Sequence, residues 1–300
     1  MAFKIGNVKI KNNLVLAPMA GINDIPFRLL CRENGAGLLY TEMINANAIA
    51  RNNKSSLRLA KILEIERPIS LQLFASKKDV IANAAKILEP NASIIDFNLG
   101  CPASKVVKAG AGAALMEKPK KVQEILEKLV SSVNVPVTVK IRLGFNKINA
   151  LQISKIAESA GVSAIAVHAR TYGQGFSGKA NLNAIKEIKE NISIPVIGNG
   201  DVTDAVSFKQ MMEVSDAVMV GRAAKNNPAL FDELISGKKA DKKKLFSRYC
   251  ELAEEHGCED FKKALIHALN FSSGLDGSRT LRGKLSKCRT IKELKDCFSR

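Results

Sequence analysis

Eight short apolar runs rich in β-branched residues recur along this chain, at 14–17, 38–42, 69–74, 94–98, 137–142, 164–168, 195–198 and 217–220, each followed by a helical pattern. Strand then helix, eight times over, reads as a succession of parallel βαβ units. The runs are continuously apolar rather than alternating, which suits strands buried on both faces, as a parallel sheet requires. Eight such units close into a (β/α)8 TIM barrel, an architecture of about 250 residues, and the 300 residues here leave room for a small appendage. Between the runs, 119–130 places Val122, Ile125, Leu126 and Leu129 on one stripe with charges opposite, and Pro119 suits a first helical turn. At the start, 3–10 alternates around Gly6-Asn7, the pattern of a hairpin covering the N-terminal end of the barrel. The repeat stops after Phe231, and the charged, breaker-rich stretch 236–244 precedes a segment with helical periodicity and no strand candidate. The expected division is a barrel at 1–236 and a small all-helical domain at 237–300.

No apolar run approaches the roughly 20 residues that cross a bilayer, and the first residues, Met1-Ala2-Phe3-Lys4-Ile5-Gly6, lack the apolar core of a signal peptide. A cytoplasmic protein is expected. Six cysteines, Cys31, Cys101, Cys250, Cys258, Cys288 and Cys297, form no Cys-x-x-Cys pair, so reduced thiols are the default. The last four fall within the final 51 residues, which leaves a metal or redox role open although their spacing matches no familiar ligand pattern. The net charge of +17 favours a polyanionic partner such as nucleic acid, unless it reflects a lysine-rich composition alone. Residues 238–300 carry 16 Lys and Arg against 9 Asp and Glu.

Active sites of such barrels lie at the C-terminal ends of the strands, and the expected strand ends here are polar. The first ends in Ala17-Pro18-Met19-Ala20-Gly21, the second in Thr41-Glu42-Met43, the third passes Gln72, and the fourth ends in Asn98 and Cys101. The fifth carries Lys140 and Arg142, the sixth His168 and Arg170, the seventh Asn199-Gly200-Asp201, and the eighth Gly221-Arg222. The last two loops occupy the positions where barrels commonly bind phosphate, and glycine amides with an arginine fork suit that anion. Within Asn98-Leu99-Gly100-Cys101-Pro102 a buried strand breaks into a glycine- and proline-bounded turn. A cysteine there serves as an acid or a nucleophile, or simply closes the turn as a small apolar residue.

In this order and spacing the elements Ala17-Pro18-Met19-Ala20-Gly21, Thr41-Glu42-Met43, Gln72, Asn98-Leu99-Gly100-Cys101-Pro102, Lys140-Ile141-Arg142, His168-Ala169-Arg170, Asn199-Gly200-Asp201 and Gly221-Arg222 resemble the tRNA-dihydrouridine synthases. The likeness spans residues 10 to about 232, and Asn-x-Gly-Cys-Pro is its specific part. The resemblance implies an FMN-binding barrel, reduction of the flavin by NADPH or NADH, hydride transfer to C6 of a uridine in tRNA, and protonation of C5 by Cys101. It further implies that Pro18, Met19, Ala20, Gln72, Lys140, His168, Asn199, Gly200, Asp201, Gly221 and Arg222 contact the flavin. Asn98, Arg142 and Arg170 would hold the uracil.

Where the family often has a helix rich in Arg, His, Trp and Tyr, this chain has Phe261-Lys262-Lys263-Ala264-Leu265-Ile266-His267, and it has no tryptophan. Phosphate contacts from Arg279, Arg282, Lys284, Lys287, Arg289, Lys292 and Lys295 are therefore the expected grip on RNA. The Gly-rich stretch 172–179 reads equally as a lid over the base or as a plain surface loop. Two alternatives stand beside this one. A dihydroorotate- or dihydropyrimidine-dehydrogenase-like enzyme acting on a free pyrimidine would share the barrel and flavin, but would not need the basic tail. A non-enzymatic RNA-binding module would leave the polar strand ends unexplained.

Overall fold

Successive side chains of a strand point to opposite faces, and the strands of this barrel sort their residues by that rule. The computed structural model describes residues 2–299. In chain order the strands are β1 (Phe3–Ile5), β2 (Val8–Ile10), β3 (Leu14–Leu16), β4 (Leu39–Tyr40), β5 (Ile44–Asn45), β6 (Ile69–Phe74), β7 (Ile94–Leu99), β8 (Val137–Arg142), β9 (Ala164–His168), β10 (Val196–Asn199) and β11 (Ala217–Val220). The parallel sheet runs β3-β11-β10-β9-β8-β7-β6-β4, with short β5 also on β6. A parallel bridge between Val15 and Leu38, with Leu16 N donating to Leu38 O at 2.9 Å, closes it into a barrel. Each of the eight apolar runs supplies one barrel strand. The seventh begins one residue later than expected, at Val196, because Pro195 has no N–H to give the ladder.

Outward-facing Leu71, Leu73, Ile95, Phe97, Val139 and Ile141 pack into the core shared with the helices. The helix Pro119–Val130 meets that core through Val122, Ile125, Leu126 and Leu129, with its proline in the first turn. Inward-facing residues change character along the barrel. At the N-terminal end Val15, Ile94, Ala164, Ile197 and Ala217 cluster with Ile5 and Ile10 of the antiparallel β1–β2 hairpin. The hairpin thus covers that end, and its Gly6 turn (φ +56°) lies so close to Pro136 that an added Cβ would stand 2.8 Å from Pro136 Cγ. Farther along the same inner face come Gln72, Asp96, Asn98, Thr138, Lys140 and Arg142. Burial on both faces holds except near the mouth, where Phe74, Lys140 and Asn199 are half-buried and the inner face turns polar.

The helix Leu230–Ser236 stops at Gly237, whose left-handed φ of +72° ends it. Four helices follow, Lys242–Glu255, Phe261–Phe271, Ser278–Leu285 and Ile291–Ser299. Phe246 packs on Phe298 with ring centroids 4.7 Å apart, and these side chains share one apolar core with Phe27 and Leu30 of the barrel helix Ile25–Glu33. Polar contacts join the same surfaces. Tyr249 Oη donates to Asp24 Oδ2 at 3.0 Å, His267 Nε2 lies 3.1 Å from that oxygen, and Lys263 Nζ reaches Glu42 Oε1 at 2.8 Å. Burial works to raise the Asp24 carboxyl, but His267, the Phe27 amide and Lys263 outweigh it and hold the group below its ordinary value. Lys263 and His267 of the tail therefore face the barrel, whereas Arg279, Arg282, Lys284, Lys287, Arg289 and Lys292 are exposed and Lys295 is half-buried. No helix among the described residues is long and apolar enough to cross a membrane.

Candidate active site

The polar strand ends converge on one cavity of about 870 Å³ at the C-terminal mouth. Pro18, Met19, Ala20, Gln72, Asn98, Cys101, Lys140, Arg142, His168, Asn199, Gly200, Asp201, Gly221 and Arg222 all line it. Arg170 does not: it stands behind the wall, 2% exposed. Met43 of the second strand end and Phe176 of the stretch 172–179 line it as well, as does Asn226, which the sequence had not singled out.

The Cys101 turn is held by Asn98, whose Oδ1 accepts from Gly100 N at 3.0 Å and from Cys101 N at 2.8 Å. Cys101 O in turn accepts from Ala113 N at 3.1 Å. Close approach there requires glycine at 112, since a Cβ on it would lie 2.8 Å from Cys101 O. Burial raises the Cys101 thiol above its ordinary value, against the opposing pull of the Ala103 amide and the Arg142 and Lys140 cations. At neutral pH the sulfur keeps its proton, which suits a donor better than a nucleophile.

Across the cavity, Lys140 Nζ donates to Asn199 Oδ1 at 3.2 Å, and Asn199 Nδ2 donates to Met219 O at 2.7 Å. Burial, with neighbouring Arg142, pulls the Lys140 ammonium down to about 8, and Asp96 partly offsets this. His168 is pushed down to about 2 by burial and by the surrounding Lys140, Arg142, Arg170 and Arg222, so it stays a neutral imidazole. Arg142 ties two loops together: Nε donates to Gly100 O at 2.9 Å, and Nη1 to Thr171 O and Gly175 O at 3.0 Å. Its Nη2 has no hydrogen-bond partner among the described residues and remains available to a ligand.

Arg170 spends its donors on protein. Nε donates to Ser177 O at 3.1 Å, Nη2 to Gly178 O, and Nη1 and Nη2 to the Asp201 carboxylate. Asp201 also accepts from Ala180 N at 2.9 Å and from Arg222 Nη2 at 3.0 Å. It adopts φ +55°, uncommon for a residue other than glycine, and these contacts hold it there. The stretch 172–179 is thus a pinned loop, and it carries Phe176 to the cavity rim, 56% exposed. The Arg222 guanidinium lies 4.5 Å from the centre of that ring. Cys250 and Cys288 are buried and Cys258 and Cys297 half-buried; among the described residues no group of three or more His, Cys, Asp or Glu is placed to hold a metal ion.

A closed parallel barrel whose mouth gathers a protonated thiol, a half-buried lysine, a neutral imidazole and arginines around one cavity is built as a (β/α)8-barrel enzyme. Residues 15–298 match the family described as Dihydrouridine synthase (Dus). The chain is 46% identical to the tRNA-dihydrouridine synthase B of Pasteurella multocida over 234 residues, 76% of this chain and 70% of that protein. It is 42% identical to the tRNA-dihydrouridine synthase B of Escherichia coli K12 over 239 residues, 77% of this chain and 74% of that one. The chain belongs to the dihydrouridine synthase family and is an oxidoreductase of that kind. Among solved structures, a 2-naphthoyl-CoA reductase complex aligns with a TM-score of 0.64 at 12% identity, over 79% of this chain and 52% of that one. Morphinone reductase aligns with 0.57 at 12% identity, over 80% of this chain and 90% of that one. At such identities these two share the fold alone.

Proposed function

We propose that this protein reduces the C5–C6 double bond of uridine in tRNA to 5,6-dihydrouridine, in the cytoplasm, with FMN as cofactor and NADPH or NADH as reductant. The observation that carries this reading is the placement of a protonated Cys101 thiol and a half-buried, sparingly bonded Lys140 on one cavity.

The residues present fit the flavin. Lys140 uses one hydrogen-bond partner, leaving charge for an electron-rich ring edge, and the cavity wall at Gly221 is so close to Ala17 that a side chain would intrude, with Ala17 Cβ 3.3 Å from an added Cβ. FMN would be held by Pro18, Met19, Ala20, Gln72, Lys140, His168, Asn199, Gly200, Asp201, Gly221 and Arg222. When bound and reduced, it supplies the hydride that reaches C6 of the uracil. Asn98 and Arg142 present an amide and a free guanidinium nitrogen to the carbonyl and imide edge of the base. Arg170 contributes by holding the loop that carries Phe176. Cys101 gives its proton to C5 and regains one from solvent. A uridine within folded tRNA must leave its stack to enter this mouth, and the unit at 237–300 grips the backbone through exposed Arg279, Arg282, Lys284, Lys287, Arg289 and Lys292, with Lys295 beside them. The barrel unit is accordingly 1–236.

Incubation of unmodified tRNA with the protein, FMN and NADPH, read by mass spectrometry, is the test. Gain of two hydrogens at a uridine is the expected outcome. Reduction of free uracil or orotate with tRNA untouched would favour the free-pyrimidine alternative, and a preparation that takes up no FMN would overturn the reading.

A further inference from the structure

Asp96 lies on the inner face of β7, fully buried and outside the cavity wall. Its carboxylate accepts from Thr138 Oγ1 at 2.6 Å and from Gln72 Nε2 at 2.8 Å. Gln72 Oε1 accepts from Asn98 Nδ2 at 2.8 Å, and Asn98 Oδ1 accepts from Gly100 N and Cys101 N. A chain of hydrogen bonds with a single sense therefore runs from the barrel interior to the thiol loop. Each amide in it could stand either way round, and the ends decide which way it stands. Backbone N–H groups at the loop end only donate. An ionised carboxylate at the interior end only accepts.

We propose that Asp96 is a positioning residue for the Cys101 loop: as a pure acceptor at the root of the chain it fixes the Gln72 and Asn98 amides and so clamps the Gly100 and Cys101 amides onto Asn98 Oδ1. Its bearing on catalysis rests on the reading of Cys101 as proton donor; the clamp itself does not. Were the root able to donate, Gln72 could present Oε1 to it and Nε2 to Asn98. Asn98 would then turn Nδ2 against two N–H groups, donor facing donor, and the loop would lose its hold. Burial lifts the Asp96 carboxyl to about 6, against Thr138, Gln72 and Lys140, so such a donor forms at accessible pH. The titratable groups facing it are Lys140 from β8 and the Tyr40 hydroxyl from β4; β6 presents Gln72 and Ser70.

The test is the rate at which Cys101 reacts with 2,2′-dithiodipyridine in the full-length protein without cofactor, the modified residue being identified by peptide mass spectrometry. Asp96→Asn, whose amide can donate, and Asn98→Ala are each expected to speed labelling about tenfold, the size of one lost hydrogen bond. The double variant should be no faster than Asn98→Ala, since both act on the same clamp. Wild-type labelling, normalised to a free-thiol standard, should accelerate as pH falls through about 6, and Asp96→Asn should show no such step. Additive effects in the double variant, or a flat wild-type profile, would overturn the proposal. The wild-type arm stands even if Asp96→Asn does not fold. Labelling requires neither FMN nor tRNA, so failure of the proposed activity and failure of the clamp are separable results.

Discussion

Arg170 and Asp201 meet through two nitrogens and two oxygens, at 2.9 and 2.6 Å. With the Ser177 and Gly178 carbonyls this fork takes four of the five N–H donors of an arginine buried away from any substrate, and it explains two otherwise costly features. Asp201 is kept in its left-handed conformation, and the carbonyls of Ser177 and Gly178 are drawn inward so that Phe176 sits at the rim.

Arg170→Ala should therefore release the loop. Loss of one partner of a buried pair costs about 3–5 kcal/mol, and because Asp201 is 36% exposed the lower end of that range is expected in urea unfolding. Trypsin should begin to cut after Lys179, while Arg170→Lys, with a point charge in place of a fork, should restore only part of the protection. An unaltered cleavage pattern in Arg170→Ala would contradict the anchoring role.

Cys101→Ala should leave the fold, FMN uptake and NADPH oxidation intact, because the thiol makes no hydrogen bond to any residue assigned to the flavin. Turnover of tRNA should fall by about 10²–10⁴, the usual contribution of a general acid. More than half of wild-type turnover would remove Cys101 from that role.

Lys140 carries a pH signature. The folded protein releases its ammonium proton near pH 8, whereas an unfolded chain holds it to about 10.4. Between those values the unfolded state binds more protons, so the unfolding free energy of the cofactor-free protein gains a component that rises with pH. Subtracting the pH profile of Lys140→Met from that of the wild type should isolate this rise, and the same variant should purify with less FMN. Parallel profiles would mean that Lys140 is solvated like a surface lysine.

Replacement of Arg279, Arg282, Lys284 and Lys287 by glutamine should weaken tRNA binding and leave NADPH oxidation unchanged. Each lost phosphate contact should flatten the slope of log affinity against log salt by about 0.7–0.9. An unchanged slope would place the RNA elsewhere on the surface.

The eight strands were legible because parallel strands buried on both faces are written as predominantly apolar runs, and the mouth was legible because polar residues ending such runs have nowhere else to point. Arg170 shows the limit of that logic: a strand-end arginine reads as a ligand-binding group until its donors are counted against the carbonyls of its own loop. Asp96 was visible as a charge inside an apolar strand, yet its partners Gln72 and Thr138 come from neighbouring strands that only the sheet register identifies. The seating of the tail was invisible for a related reason. Asp24 meets Tyr249 and His267 across more than two hundred residues of sequence, and no local periodicity records such a pairing.

That seating bears on how such a protein can be recombined. Phe27 stacks on His267 with ring centroids 4.9 Å apart, and Asp24, which caps the helix bearing Phe27, also receives the tail's tyrosine and histidine. A tail grafted from a relative onto this barrel would leave a half-buried carboxylate facing foreign side chains unless the segment from Asp24 to Glu33 travelled with it. The natural seam for a chimera consequently does not follow the linker near Gly237: the first barrel helix, though distant in sequence, belongs on the tail's side of the cut.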